Sequence, residues 1–290
     1  MAEKKPVTVL IPAYNEERSV GAVIESYREG LMAYFGSVDS FEILVVDDGS
    51  KDRTADEARS HGAIVVQNRT NRGYGATLKV GIHHARHEDI LITDADDTYR
   101  VEQAIKVLDA REGCDMVIGA RTGRTVKIPT LRRPPKWVLL KLASYLSGVD
   151  IPDLNSGLRF FTRTGIKEYF HIISDGFSFT MTSTLSYLAD GKDVAFIPID
   201  YHARTGHSKI RPIRDTLLFV QIILRTIIYF NPLRVFLPLS LFLFLLGIGV
   251  GAYEVIVHEN LTDFALMAII SGIQVGATGL LADLIVRKNG

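Results

Sequence analysis

Short runs rich in Val, Ile and Leu recur along the first part of the chain, at positions 7–11, 42–46, 63–67, 90–93 and 116–119. Segments of helical length separate them, at 16–34, 54–60, 75–86 and 101–111. Several runs are continuously apolar (ILVV at 43–46, AIVV at 63–66), the pattern of strands covered on both faces. Strand–helix alternation predicts an α/β domain around a doubly wound, mostly parallel sheet. Ligands of such a sheet bind beyond the carboxyl ends of its strands.

The pattern changes near the C-terminus. Positions 235–253 and 264–282 carry no charged residue, and each is long enough to cross about 30 Å of hydrocarbon as a helix. A polar turn with Glu254, His258, Glu259, Asn260 and Asp263 joins them. A transmembrane hairpin is expected. The preceding segment 212–230 is apolar but interrupted by Arg214, Asp215, Gln221 and Arg225. Arg214, Gln221 and Arg225 fall at i, i+7 and i+11 on one helical face, which predicts an amphipathic helix lying in the interface. The expected organisation is a catalytic domain at 1–210, an interface helix at 211–232 and a transmembrane hairpin at 233–290.

Arg211, Arg214, Arg225 and Arg234 precede the first span, Arg287 and Lys288 follow the second, and the connecting turn has no Lys or Arg. The positive-inside rule then puts both termini and the large domain in the cytoplasm. The N-terminus lacks the apolar region and cleavage site of a signal peptide. Small residues spaced by four (Gly247 with Gly251, Gly272 with Gly276) permit helix packing within one chain or, in a homo-oligomer, between chains.

Composition narrows the function. The 290 residues hold 33 Lys plus Arg and 33 Asp plus Glu, a net charge of zero. That excludes a polyanion-coating protein, and nucleic acid is not an expected partner. One cysteine, Cys114, excludes an internal disulfide and a cysteine zinc cage. The mean hydropathy of +0.15 reflects the C-terminal segments.

Polar residues gather at the ends of the expected strands. Strand one runs into Pro12-Ala13-Tyr14-Asn15-Glu16, strand two into Asp47-Asp48-Gly49-Ser50-Lys51-Asp52, and strand four into Asp94-Ala95-Asp96-Asp97. Asp52 and Ser50 are explained by a turn and a helix N-cap. Two carboxylates directly after a buried strand are not. Asp94 and Asp96, flanking a turn, could hold a hard divalent ion that completes its shell with water and substrate phosphates.

In order and combination, IPAYNEE (11–17), VVDDGSKDRT (45–54), NRGYGATLKVGI (71–82), TDADDTY (93–99), NSGLRFF (155–161) and GHSK (206–209) resemble the family 2 glycosyltransferases. The likeness is to the polyprenyl-phosphate branch that includes dolichol-phosphate mannose synthase. It implies the GT-A nucleotide-sugar-binding fold. It also implies that Pro12, Tyr14, Glu16 and Asp47 or Asp48 border the nucleoside, and that Asp94 and Asp96 serve the donor diphosphate through Mg²⁺ or Mn²⁺. The mannose synthases read D-A-D-L-Q where this chain has Asp97 and Thr98, which removes the glutamine expected as a third metal contact.

Cleaving a nucleotide sugar leaves a diphosphate whose added charge a divalent cation can stabilise. A phosphate monoester has its second pKa near ~6, so a lipid phosphate acceptor is mostly dianionic and needs no strong general base. The site does need cations. Between Asp115 and Asp150 there is no acidic residue, whereas Arg121, Arg124, Lys127, Arg132, Arg133, Lys136 and Lys141 all occur. By resemblance Arg121 contacts phosphate, Arg132 or Arg133 supplies a second contact, and Lys209 lies where a lipid phosphate would sit. The same resemblance makes Asp153 the candidate for orienting the acceptor or for weak base work, while Gly157 is the candidate for a tight backbone.

Other features carry less. Gly73-Tyr74-Gly75 lacks a third glycine and is no dinucleotide fingerprint. His83, His84 and His87 lack the glutamate of a helical zinc motif. Gln221 and Arg225 have neither the spacing nor the tryptophan of Q-x-x-R-W. The expected activity is an inverting, metal-dependent transfer of one hexose from GDP-mannose or a UDP-hexose to polyprenyl or dolichyl phosphate. A processive polysaccharide synthase and a catalytically idle membrane module are the alternatives, the first opposed by the missing motif and the second by the acidic and basic clusters.

Overall fold

The computed structural model describes residues 4–123, 133–176, 178–200, 212–258 and 262–289. The chain divides into two compact units, Met1–Val220 and Gln221–Gly290.

In the first unit, the apolar runs form β1 (Val7–Ala13), β2 (Phe41–Asp47), β3 (Ile64–Gln67), β4 (Asp89–Ile92) and β5 (Met116–Ala120). Between them lie α1 (Val20–Phe35), α2 (Thr54–Ser60), α3 (Tyr74–His84) and α4 (Val101–Asp109). Each expected strand and helix is present, with shifts at its ends. α1 illustrates the cause: Val20, Val23, Ile24, Tyr27 and Leu31 recur at helical spacing and are all buried. Each such apolar side chain contributes roughly 1.5–3 kcal/mol when fully buried.

The remaining elements are α5 (Arg133–Ser147), β6 (Arg159–Thr162), α6 (Arg163–Glu168), α7 (Phe179–Ala189), β7 (Val194–Pro198) and α8 (Pro212–Phe230). β6 and β7 go beyond the five strands expected from the apolar runs. The sheet order is β3-β2-β1-β4-β6-β5-β7. β6 runs antiparallel to both β4 and β5, and the other pairings are parallel. This mixed, mostly parallel sheet with helices between its strands is the GT-A fold.

The reversed strand matters for what lies at the sheet edge. Arg159, the first residue of β6, pairs with Ile92 near the end of β4 and with Ile118 in β5. The segment before β6 therefore arrives at the carboxyl edge of the parallel strands. A parallel β6 would have delivered it to the opposite edge.

In the second unit, α9 (Leu233–His258) and α10 (Asp263–Asn289) pack antiparallel. Gly247 approaches Ile269 and Ala265, Gly272 approaches Phe244 and Ser240, and Gly279 approaches Phe236. Their most apolar windows have mean hydropathies of 2.3 and 1.8, with only 11% and 22% of the residues buried. A core helix of a soluble domain would be mostly covered. These two are long and apolar enough to cross a membrane, and they account for membrane association.

Candidate active site

β1, β2 and β4 end side by side, with Ala13 opposite Asp47 and Leu10 opposite Ile92. Beyond their ends opens a cavity of about 340 Å³. Pro12, Ala13, Tyr14 and Glu16 line it from the end of β1, Asp48 from β2, and Asp94, Ala95 and Asp96 from β4. Asn71, Gly73, Tyr74 and Thr77 close the remaining wall from the β3–α3 connection and α3. Pro12, Tyr14, Glu16, Asp48, Asp94 and Asp96, far apart in sequence, thus meet at one sheet edge.

The lip after β1 is held by its neighbour. Asn15 N donates to Ser50 Oγ (2.9 Å), Lys51 N donates to Asn15 Oδ1 (2.9 Å), and Glu16 N donates to Thr54 Oγ1 (2.8 Å). Asn15 adopts a left-handed φ of 56°, a conformation that asparagine tolerates better than most residues. Asp52 does not take the N-cap position of α2, which belongs to Arg53. Its carboxylate accepts instead from Thr54 N (3.1 Å) and Glu17 N (3.3 Å), tying the lip to the start of α2.

The two adjacent aspartates have different surroundings. Asp47 lies outside the cavity lining; its Oδ1 accepts from the Ser50 backbone and hydroxyl, and its Oδ2 from Gln67 Nε2 (3.1 Å). Asp48 lines the cavity while accepting from Asn68 Nδ2, Arg72 N and Gly73 N, each at 2.9 Å. Asp48 therefore shapes the opposite wall as well as facing the cavity.

Asp94 and Asp96 stand on the same wall. Tyr74 Oη donates to Asp94 Oδ1 at 3.3 Å. Burial and the neighbouring Asp94 push the Tyr74 phenol well above its usual range, so it remains a neutral donor. A Cβ at position 157 would lie 2.6 Å from Asp94 Oδ2 and 2.8 Å from Oδ1, so only glycine lets this backbone back the carboxylate. Thr98 fixes Asp96, its Oγ1 donating to Asp96 Oδ1 at 2.6 Å and its N at 3.3 Å. Thr98 is itself buried and absent from the lining, and Asp97 is exposed with a φ of 58°.

Two oriented carboxylates on one cavity wall are a donor set that fits a hard divalent cation. No cluster of three or more metal-type side chains occurs among the described residues. The rest of the shell would then come from water and diphosphate oxygens.

Arg121 and Asp153 are brought together as partners. Arg121 Nε donates to Asp153 Oδ2 (2.7 Å), Nη2 to Oδ1 (2.9 Å), and the Arg121 backbone N to Oδ2 (3.1 Å). Asn155 N donates to Oδ1 as well (3.1 Å). Asp153 is buried, and its two oxygens face four N–H donors. These contacts tie Asp153 to the end of β5 through both the side chain and the backbone of Arg121.

Arg132 and Lys209, with the rest of GHSK, lie outside the described residues, as does the side chain of Arg133 at the start of α5. Tyr74, Asn71 and Thr77 received no role from the sequence, although they belong to NRGYGATLKVGI. They follow the end of β3, so the edge rule that located the aspartates could have found them.

The glycosyl transferase family 2 model matches residues 8–177, more than half of the chain. The chain belongs to glycosyl transferase family 2. A second family model, the GtrB C-terminal hairpin, matches residues 231–287, which contain α9 and most of α10. Among relatives, glycosyltransferase AglJ of Haloferax volcanii is 31% identical over 96% of this chain and 93% of its own length. The dolichyl-phosphate hexose transferase of the same organism is 29% identical over 71% of this chain and 87% of its own. The resemblance to the polyprenyl-phosphate branch is borne out. Among solved structures, glucosyl-3-phosphoglycerate synthase from Mycobacterium tuberculosis, crystallised with Mn²⁺ and UDP, is similar with a TM-score of 0.55. The two share 20% identity, and the match covers 77% of this chain and 80% of that one, a likeness of fold.

Proposed function

We propose that this membrane-associated glycosyltransferase moves one hexose from GDP-mannose or a UDP-hexose to polyprenyl phosphate on the cytoplasmic leaflet. The product is a β-linked polyprenyl-phosphate sugar. The observation that carries this reading is the 153–157 turn. At one end Asp153 holds Arg121, suited to a phosphate, and at the other Gly157 backs Asp94, suited to a metal-bound diphosphate. Donor and acceptor chemistry thus share one turn. The relative named as a dolichyl-phosphate hexose transferase supports the acceptor class.

In this reading Pro12, Tyr14, Glu16 and Asp48 border the nucleoside, with Asp47 behind them holding Ser50. Asp94 and Asp96 would hold Mg²⁺ or Mn²⁺, which would supply positive charge to offset the negative charge developing on the leaving diphosphate. Arg121, with Arg132, Arg133 and Lys209, draws in the acceptor phosphate. An oxygen of that phosphate attacks the anomeric carbon as the bond to the donor diphosphate breaks. The nucleoside diphosphate leaves with the bonding electrons. A single displacement inverts the anomeric centre, and the dianionic acceptor has no proton to give up. Asp153 serves by orienting Arg121. The catalytic domain is assigned to 1–210, the interface helix to 211–232 and a two-span hairpin to 233–290.

The test is transfer by the purified full chain, with Mn²⁺, a short polyprenyl phosphate and radiolabelled GDP- and UDP-sugars. Label is expected in the organic phase from one donor, and it should vanish on chelation and in Asp96→Asn. No transfer from any donor by folded protein overturns the reading.

A further inference from the structure

The largest fully buried side chain among the described residues is a charged one, Arg159. Its Nε and Nη2 donate to the Ser156 carbonyl at 3.2 and 2.6 Å. Nη1 donates to the Thr180 carbonyl (2.9 Å), Ser183 Oγ (2.8 Å) and Thr184 Oγ1 (3.3 Å) on α7. These partners are all neutral, and no ion pair to Arg159 occurs among the described residues. Burial lowers its pKa to about 10, leaving it cationic at neutral pH. A buried cation without an ion-pair partner is a poor device for stability, since an apolar side chain would fill the space without the desolvation penalty. What an apolar residue lacks is the planar fork, which can bind one carbonyl with two donors while reaching a second element with another.

The carbonyl so held belongs to Ser156, inside the 153–157 turn. On one side of it Asp153 binds Arg121. On the other, Gly157 backs Asp94 and donates its N–H to Tyr99 Oη at 2.9 Å. We propose that Arg159 is a positioning residue that pins the 153–157 turn to α7 and so sets Asp94 and Arg121 in register with each other. The proposal rests on the functional reading above, in which these two side chains serve donor and acceptor. Arg159 touches neither substrate. It acts through the turn.

The experiment compares wild type, Arg159→Lys and the double variant Ser183→Ala/Thr184→Val as full chains in detergent. Each is assayed for kcat, both KM values, melting temperature and calorimetric binding of the nucleoside diphosphate with Mn²⁺. Lysine keeps the charge and loses the fork, whereas the double variant keeps the arginine and removes two of its anchors. Arg159→Lys should lose about 100-fold in kcat, with weakened nucleotide binding, at temperatures where it stays folded. The double variant should lose several-fold in kcat in the same direction.

Wild-type kcat and binding in a folded Arg159→Lys overturns the proposal. If that variant does not fold, unchanged kcat in the double variant overturns it. Activity that returns fully on cooling below the melting transition also overturns it, because the residue would then only stabilise. Failure of the wild type to transfer sugar is a different result, and it sinks the functional reading itself.

Discussion

At the scale of single residues, the Arg121–Asp153 pair separates two accounts of the acceptor side. Asp153 as a base would set the acidic limb of the pH–rate profile. As an anchor for Arg121 it would leave that limb to the acceptor phosphate, whose second ionisation lies near ~6. Losing one partner of a hydrogen-bonded charge pair costs on the order of 2 kcal/mol or more, so Asp153→Asn should lower kcat/KM by roughly 30-fold or more. The acidic limb should persist in the variant when kcat/KM is measured from pH 5 to 8. Its disappearance would return Asp153 to the role of base. The aspartates at the strand ends were legible because each directly follows an apolar run. The pairing of Arg121 with Asp153 was not, since it spans 32 positions and depends on a strand reversal. Nor could spacing separate Asp47 from Asp48, because opposite side-chain directions at a strand end decide which one faces the cavity.

At the scale of elements, the strands easiest to read were those with continuous Ile, Leu and Val, such as β2 with ILVV. β6 (RFFT) opens on a buried arginine and holds only two consecutive apolar residues, whereas β7 (VAFIP) carries the run VAFI and was legible by the same criterion as the AIVV run that forms β3, an edge strand that is likewise only partly covered. The hairpin was legible from length alone, but its packing was not. Spacing left Gly247 and Gly272 open to contacts within or between chains, and both are used within this chain. A Cβ at Gly272 would lie 2.8 Å from Phe244 N and 3.0 Å from Ser240 O, atoms of the facing backbone that cannot turn aside. Ser240 Oγ also donates to the Gly272 carbonyl at 2.7 Å. Gly272→Leu should therefore part the helices and lower the midpoint of thermal unfolding in detergent. Ser240→Ala removes one interhelical hydrogen bond, worth about 0.6 kcal/mol on average in membrane proteins, and should cost less than the glycine change. Equal midpoints for wild type and Gly272→Leu would mean that this close approach does not hold the hairpin together.

At the scale of the whole molecule, the proposed reaction needs a water-soluble donor and a lipid acceptor, and the chain carries a cavity at the sheet edge together with two apolar helices. Donors made in the cytoplasm can be used only if the catalytic domain faces that side. The proposed orientation follows the positive-inside rule, with Arg234, Arg287 and Lys288 at one end of the helices and no Lys or Arg between positions 254 and 263. The proposed two-span topology predicts that the segment joining α9 to α10 faces the side of the membrane opposite the catalytic domain. The single cysteine makes this testable, because Cys114→Ser yields a thiol-free background. In that background, one cysteine is introduced at Glu112 or at Asn260, and sealed vesicles of known orientation are treated with a membrane-impermeant thiol reagent. The Glu112→Cys protein should label from the cytoplasmic face and Asn260→Cys only from the opposite face. Labelling of both from the cytoplasmic face would mean that the hairpin enters without crossing. Labelling of Glu112→Cys only from the far side would invert the orientation and cut the active site off from cytoplasmic donors.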